Sequence, residues 1–271
     1  MTVPGCLVAP ALGFRDHSLL AAIQAAGLTA NLKLCVDAGD QNSYASGQKW
    51  LDRSGGGYDF FLGADGSAAA DDPVLTGSPG TPLAYWATDG VTHHRYDTTN
   101  ETWMEALHKD NAAFTVFCVY RHAGAGSQAT VFGTCASAGT NTGVTLEVNT
   151  GRQINFNVSN AGSVVLNKDS GGGDVNSNAI NMIALSINEA TGAGGGFTWA
   201  NGDIINGPWD STYTSPAAGN ATYTMELGAG GNASNVSGGS VRFYCTAIWS
   251  AALTEANLDA LRLLLLPRFF G

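Results

Sequence analysis

The hydrophobic positions change period along the chain, and that change predicts its elements. From Leu32 onward apolar and polar residues alternate, as they do where a strand turns one face to a core. Leu34 and Val36 begin the pattern, and a turn-rich stretch from Gln41 to Gly80 follows, centred on Gly55-Gly56-Gly57. Phe114, Val116, Cys118 and Tyr120 alternate with Thr115, Phe117 and Val119, a run apolar on both faces that predicts a central strand of a layered stack. Val144, Leu146 and Val148 alternate with Thr145, Glu147 and Asn149. Ile154, Phe156 and Val158 alternate with Asn155, Asn157 and Ser159. Asn149-Thr150-Gly151-Arg152 between these two runs reads as a hairpin turn, giving adjacent antiparallel strands with one wet face. Further strands are predicted over 180–187, 196–200, 222–228 and 240–249, the last with Val241, Phe243, Cys245, Ala247 and Trp249 on one face.

Three segments follow a helical period. Asp16 can cap a short helix whose Leu19, Leu20 and Ile23 share a face and whose end is marked by Gly27. So short a helix must dock on something, and residues 1–30 read as a docking segment for a larger assembly. Thr98 and Glu101 have capping-box spacing ahead of Trp103, Met104 and Leu107. Thr254 can cap a helix with Leu258, Leu261 and Leu265 on one side, ended by Pro267. No repeat of 20–50 residues is visible. The pattern predicts an all-β protein: an antiparallel β-sandwich over 31–271, with short peripheral helices and an N-terminal extension.

Composition narrows the partners. With 36 glycines and 13% charged residues in 271, many positions belong to uncharged turns between strands. Lys and Arg total 12 against 22 Asp and Glu, a net charge of −10 that disfavours nucleic acid and anionic membrane. No apolar run approaches the roughly 20 residues of a membrane helix; the run Leu263 to Leu266 stops at Pro267. Arg15 is the first basic residue and Pro4 and Pro10 break the early apolar stretch, so no signal peptide is expected and synthesis is expected in the cytoplasm. Cys6, Cys35, Cys118, Cys135 and Cys245 form no Cys-x-x-Cys pair and read as reduced structural thiols.

The order of five passages resembles the concanavalin A-like lectin/glucanase superfamily in its laminin-G-like jelly-roll form. They are Phe114 to Tyr120, Gly143 to Val158, Asn181 to Ile187 with Gly196 to Asp203, Tyr223 to Gly228, and Val241 to Leu261 with Ile248-Trp249-Ser250-Ala251-Ala252-Leu253-Thr254-Glu255 inside it. Val36 to Asp40, Trp50 to Gly57 and Leu107 to Asp110 are similar to versions of this module in bacteriophage virion proteins. The resemblance covers about 32–266 and implies a jelly-roll. A fold match alone does not give a function.

Glycanases of this superfamily need clustered strand carboxylates, and no Glu-x-Asp-x-x-Glu or Glu-x-Asp-x-Glu strand is present. Glu147 and Glu226 each stand alone on their strands, and Glu101 and Glu105 fall on a predicted helix, so the protein is expected not to be an enzyme. A strand carboxylate supplied from another segment would reopen that question. His17, His93, His94, His108 and His122 lack metal-ligand spacing, and adjacent His93 and His94 point to opposite faces of a strand. No cofactor is expected. Asp37 with Asp40, Asp71 with Asp72, and Asp169 with Asp174 are loop carboxylates of the kind that calcium uses, and also of the kind that turns use. Carbohydrate contact asks for an aromatic face beside amides or carboxylates, which Trp199, Asn201, Asp203 and Trp209 provide, with Tyr85-Trp86 as a second candidate.

These observations lead to an expected function: a non-enzymatic structural protein of a phage or phage-like particle, a decoration, spike or fibre subunit. Its expected location is the virion, and its expected partners are other virion proteins and further copies of itself. A lectin module contacting surface glycan is the first alternative, and a glycanase with an atypical active site the second.

Overall fold

The computed structural model describes residues 17–122, 128–238 and 241–271. The elements run α1 (Leu19–Ala25), β1 (Leu32–Asp37), β2 (Lys49–Trp50), β3 (Phe60–Leu62), β4 (Val74–Thr76), β5 (Tyr85–Ala87), β6 (His94–Tyr96), α2 (Thr102–Glu105), β7 (Ala113–Arg121) and β8 (Ala129–Gly133). They continue β9 (Gly143–Val148), β10 (Ile154–Asn160), β11 (Ser163–Asp169), β12 (Ile180–Asn188), β13 (Gly196–Ala200), β14 (Asp203–Trp209), β15 (Glu226–Leu227), β16 (Arg242–Trp249) and α3 (Glu255–Phe270). All named strand pairs are antiparallel among the described residues, and they form two eight-stranded sheets. The first sheet runs β14-β13-β12-β7-β16-β5-β4, with β1 also on β16; the second runs β11-β10-β9-β8-β15-β6-β3-β2.

The fold is an antiparallel β-sandwich with a third, helical layer. One core lies between the sheets and takes Phe114, Val116, Cys118 and Tyr120 from β7, with Phe132, Leu146, Phe156 and Trp86. The other lies between the first sheet and helices α1 and α3; it takes Phe117 and Val119 from the opposite face of β7, with Leu19, Ile23, Trp199, Leu258 and Leu261. The doubly apolar run thus marks a strand covered on both faces, as its pattern predicts. The 149–152 hairpin also forms, with the Arg152 amide donating to the Asn149 carbonyl at 2.9 Å.

In β16 the single predicted face does not survive. A bulge between Phe243 and Cys245 shifts the register, leaving Val241 and Phe243 in the inter-sheet core and sending Cys245, Ala247 and Trp249 beneath the helices. One extra residue reverses which parity points inward. The strand expected over 222–228 shrinks to β15. Edge strands β11 and β14 were not predicted, because their outward positions are polar and β14 contains Pro208, which an edge tolerates.

The helices also depart from expectation. Ser18, not Asp16, caps α1, its hydroxyl accepting from the Ala21 amide at 3.2 Å; Asp16 lies outside the described residues. Gly27, at φ 71°, lets the Gly27 and Leu28 amides donate back to the Gln24 and Ile23 carbonyls and so closes the helix. The Thr98 box does not form: α2 begins at Thr102, and Asn100 instead pins the preceding segment by bonding Tyr223 O and Met225 N. Thr254 caps α3 through a reciprocal pair with Asn257, but Pro267 does not end it. The last turn is held from outside by Arg268, whose guanidinium forks onto Asp37 at 2.6 and 2.7 Å and donates to the Pro82 and His17 carbonyls. Asp37 also accepts from the Leu19 and Gly39 amides, so one buried ion pair joins β1, α1, α3 and the loop before β5.

Two outcomes follow for stability. Ile23→Ala should cost about 2–5 kcal/mol in chemical denaturation, because α1 belongs to a buried core; an unchanged midpoint would show α1 to be a detachable arm. Arg268→Leu should cost about 3–5 kcal/mol by leaving Asp37 charged and unpaired, and Asp37→Asn added to it should recover part of the loss.

Candidate functional site

The first sheet is covered on its outer side by helices, so the second sheet offers the larger free face. Successive strand pairs place Lys49, Phe61, Arg95, Glu226, Gly133, Thr145, Asn157 and Asn167 in one row across it. Their neighbours Trp50, Phe60, Leu62, Tyr96, Leu227, Leu146, Phe156 and Leu166 point into the inter-sheet core. By alternation this row faces away from the core; Arg95 and Asn167 reach solvent, whereas Glu226, Gly133, Thr145 and Asn157 are buried.

At Arg95 and Glu226, within the row, the face sinks into a cleft of about 320 Å³ lined by Asp71, His93, Arg95, Glu226, Asn232 and Val236. The loop from Gly228 to Gly238 forms one wall. It lies close on the sheet because Gly133 has no Cβ: one there would stand 2.7 Å from the Gly230 Cα. Glu226 fixes the loop further by accepting from the Ala233 amide at 2.8 Å. Its side chain is only 3% exposed, and burial pushes its carboxyl above the usual range against the opposing pull of His93 and the loop amides. His93 Nε2 lies 3.9 Å from Glu226 Oε2, too far for a hydrogen bond. His93 Nδ1 lies 3.2 Å from the Val91 carbonyl, a partner that can only accept. Nδ1 therefore donates to that carbonyl, and Nε2 faces the Glu226 carboxylate across the gap.

A second row on the same face runs Thr130, Glu147, Asn155 and Asp169. Glu147 is alone on β9, but β11 supplies Asp169 on the far side of Asn155, which donates to the Asp169 carboxylate. Gln128 donates to Glu147 at 2.7 Å. Burial raises the Glu147 carboxyl and Asp169 adds to the rise, while the Gln128 bond opposes it.

The four residues expected to contact carbohydrate do not converge. Trp199 is fully buried beneath α3, its indole donating to Asp259 at 3.2 Å, so it offers no ring face to a sugar. Trp209 packs on the opposite side of the first sheet, in the inter-sheet core, with Lys168 Nζ 5.3 Å from its ring centre. Asn201 sits in the β13–β14 turn at φ 55° and bonds Met182 and Asn181; Asp203 is exposed beside it. Of the second candidate, Trp86 is fully buried and Tyr85 lies under Arg242. Burial rather than display explains these aromatics.

The aspartates of the kind that calcium or turns use are engaged within the protein. Asp37 holds Arg268, Asp40 accepts from Asn42 N and Arg53, Asp71 from Ala64 N, Asp72 from Ala69 N, and Asp174 from Ser170. Among the described residues no three His, Cys, Asp or Glu side chains come together around a metal position. His94 points inward between Trp50 and Trp86, where burial holds its imidazole well below the usual range, while His93 enters the cleft. Cys35, Cys118, Cys135 and Cys245 are free and buried, with Cys118 and Cys135 pushed up to about 12 by burial; Cys6 lies outside the described residues.

No protein-family model matches the chain, and no curated protein matches its sequence. Solved structures do share its fold. Trypanosoma rangeli sialidase in complex with sialic acid is similar at a TM-score of 0.55 and 12% identity, over 89% of this chain and 34% of that one. The binding domain of Paraclostridial Mosquitocidal Protein 1 is similar at 0.58 and 13%, over 86% of this chain and 52% of that one. The botulinum neurotoxin serotype D binding domain is similar at 0.58 and 12%, over 89% and 52%. The chain therefore spans a third to a half of these neighbours, and at such identities the likeness establishes the β-sandwich alone.

The neighbours also correct the expectation that the protein is not an enzyme. They include sialidases, one a Trypanosoma rangeli mutant displaying trans-sialidase activity, at a TM-score of 0.55 and 11% identity over 93% of this chain. The exclusion rested on solitary strand carboxylates, and β11 supplies the second one.

Glu147 gives a pH test. Its folded form holds a proton more tightly than the unfolded chain does, so stability falls as pH rises from 4.5 through the higher folded value. Glu147→Gln should flatten the melting-temperature curve over that interval and lose nothing at neutral pH. A curve parallel to the parent's would show that Glu147 is not the group responsible.

Proposed function

We propose that this chain is a carbohydrate-binding β-sandwich module that takes saccharide on the outer face of its second sheet, in the cleft of His93, Arg95 and Glu226. The observation that carries this is a cleft in which the Glu226 carboxylate and the His93 imidazole, Oε2 and Nε2 held 3.9 Å apart, stand beside an exposed guanidinium. A sugar hydroxyl could donate to the Glu226 carboxylate, and a neighbouring oxygen on the same sugar could accept from Arg95. The fold supports the reading, since it is shared with a sialidase that has been solved with sialic acid and with toxin binding domains.

Glycan-array screening followed by calorimetry tests it. Glu226→Gln keeps an acceptor for the loop amide, and Arg95→Ala removes an exposed side chain. Each should weaken saccharide binding about 10-fold or more while the melting temperature holds, a size set by losing a charged hydrogen bond. Binding to no saccharide would overturn the proposal.

Glu147 and Asp169 favour a second reading, glycoside hydrolysis. They flank Asn155 on neighbouring strands, which puts their Cα atoms two strand spacings or roughly 10 Å apart. Inverting glycosidases hold their carboxyl groups about 6.5–9.5 Å apart, one protonating the leaving oxygen while the other activates water. Glu147, with its raised carboxyl, would be the acid. Reducing-sugar release that disappears in Glu147→Gln and Asp169→Asn would support hydrolysis; glycan binding without any release would dismiss it. The virion setting, with particle proteins and further copies of the chain as partners, is carried by the sequence resemblance alone.

A further inference from the structure

Arg95 is surrounded by carboxylates that are committed elsewhere. On its own strand's outer face the next acidic residue is Asp97, and that carboxylate pairs with Lys49. Across the ladder Arg95 stands opposite Glu226, whose carboxylate is turned to the Ala233 amide and toward His93. Its other cross-strand partner is Phe61, whose ring lies 5.4 Å from Lys49 Nζ. Asp71, on the facing wall, accepts from the Ala64 amide. Arg95 feels the Glu226 charge but makes no ion pair or hydrogen bond with any described residue.

Four other arginines are used internally, while Arg242 lies over the Tyr85 ring and Arg262 lines a separate surface pocket. Arg53 bonds Asp40, Arg121 the Asn178 carbonyl, Arg152 the Val175 carbonyl, and Arg268 Asp37. In a chain of net charge −10, with 22 acidic side chains, a guanidinium at a cleft with every nearby carboxylate otherwise engaged is a donor fork with its partner missing. Five N–H groups in a planar fork match a carboxylate better than they match a hydroxyl.

We infer that the ligand of this cleft is an acidic saccharide, a uronate or other sugar acid, whose carboxylate is bound by Arg95 while a neighbouring hydroxyl donates to Glu226. This rests on the carbohydrate-binding reading above and specifies its ligand class. The two roles divide the cleft. Glu226 selects a hydroxyl donor, and Arg95 selects the charge. Asp71 and Glu226 oppose an anion placed anywhere else in the cleft, so a carboxylate is acceptable only at the Arg95 edge. Affinity for the acid should fall as salt screens that contact.

The experiment compares matched saccharides on the intact chain: a uronate-bearing oligosaccharide, the same oligosaccharide with its carboxyl reduced to the alcohol, and the carboxymethyl ester. The acid is expected to bind at least 10-fold tighter than either neutral form at low salt. Arg95→Lys should remove most of that preference, because an ammonium keeps the charge but not the fork. Binding of the neutral forms should fall less than binding of the acid in that variant, so that the ratio between them shrinks. Equal affinity for acid and neutral forms, with no effect of Arg95→Lys on their ratio, would overturn the inference and leave saccharide binding standing. Binding of none of the three, or of any other saccharide on an array, would overturn both.

Discussion

The buried pairing of Arg268 with Asp37 is the constraint on which the layered arrangement rests. Its partners come from positions 231 residues apart in the chain, and it gathers the start of α1, the end of β1 and the last turn of α3 at one point. An arginine so deeply enclosed is tolerable only because its donors are met by the Asp37 carboxylate and by the carbonyls of His17 and Pro82. With that point fixed, α3 passes through Pro267 and still lies on the first sheet, bringing Phe269 to 5.4 Å from Tyr244. Gly39 is confined to glycine for the same reason, since a Cβ there would meet the guanidinium.

Covering one sheet with helices determines where binding can occur. The first sheet is enclosed on both faces, and its large aromatics, Trp199 among them, serve packing. The second sheet has one face in the core and one outside. Along the outer face, hydrogen-bonding side chains stand in register from Arg95 to Asn167. Loops then turn a flat face into a cleft: the 228–238 segment lies down where Gly133 leaves room, and the buried Glu226 holds it there. Structural and chemical roles meet in that one carboxylate, which anchors a loop and presents an acceptor to the cleft.

Much of the fold was legible in the sequence. The doubly apolar run 114–120, the hairpin at 149–152 and the Thr254 cap each follow from local period or turn chemistry, and each is present. What failed was local reasoning applied to contacts that are not local. Asp37 and Asp40 looked like turn or cation ligands because their arginine partners lie elsewhere in the chain. The 243–245 bulge reversed the face of Cys245, Ala247 and Trp249, a change that alternation cannot register. Trp199 and Trp209 stood ten residues apart and looked like one site, yet they pack on opposite faces of a sheet.

The candidate site divides in the same way. Sequence alone determined that the chain is a glycine-rich, weakly charged β-sandwich, because strand period, turn residues and composition act over a few residues at a time. It also marked Glu147 and Glu226 as solitary strand carboxylates. Only the tertiary structure decided what stands beside them: Asp169 across Asn155, and His93 with Arg95 across the β6–β15 ladder. Strand order places residues from distant segments about 5 Å apart, and no local pattern encodes which strands will be neighbours.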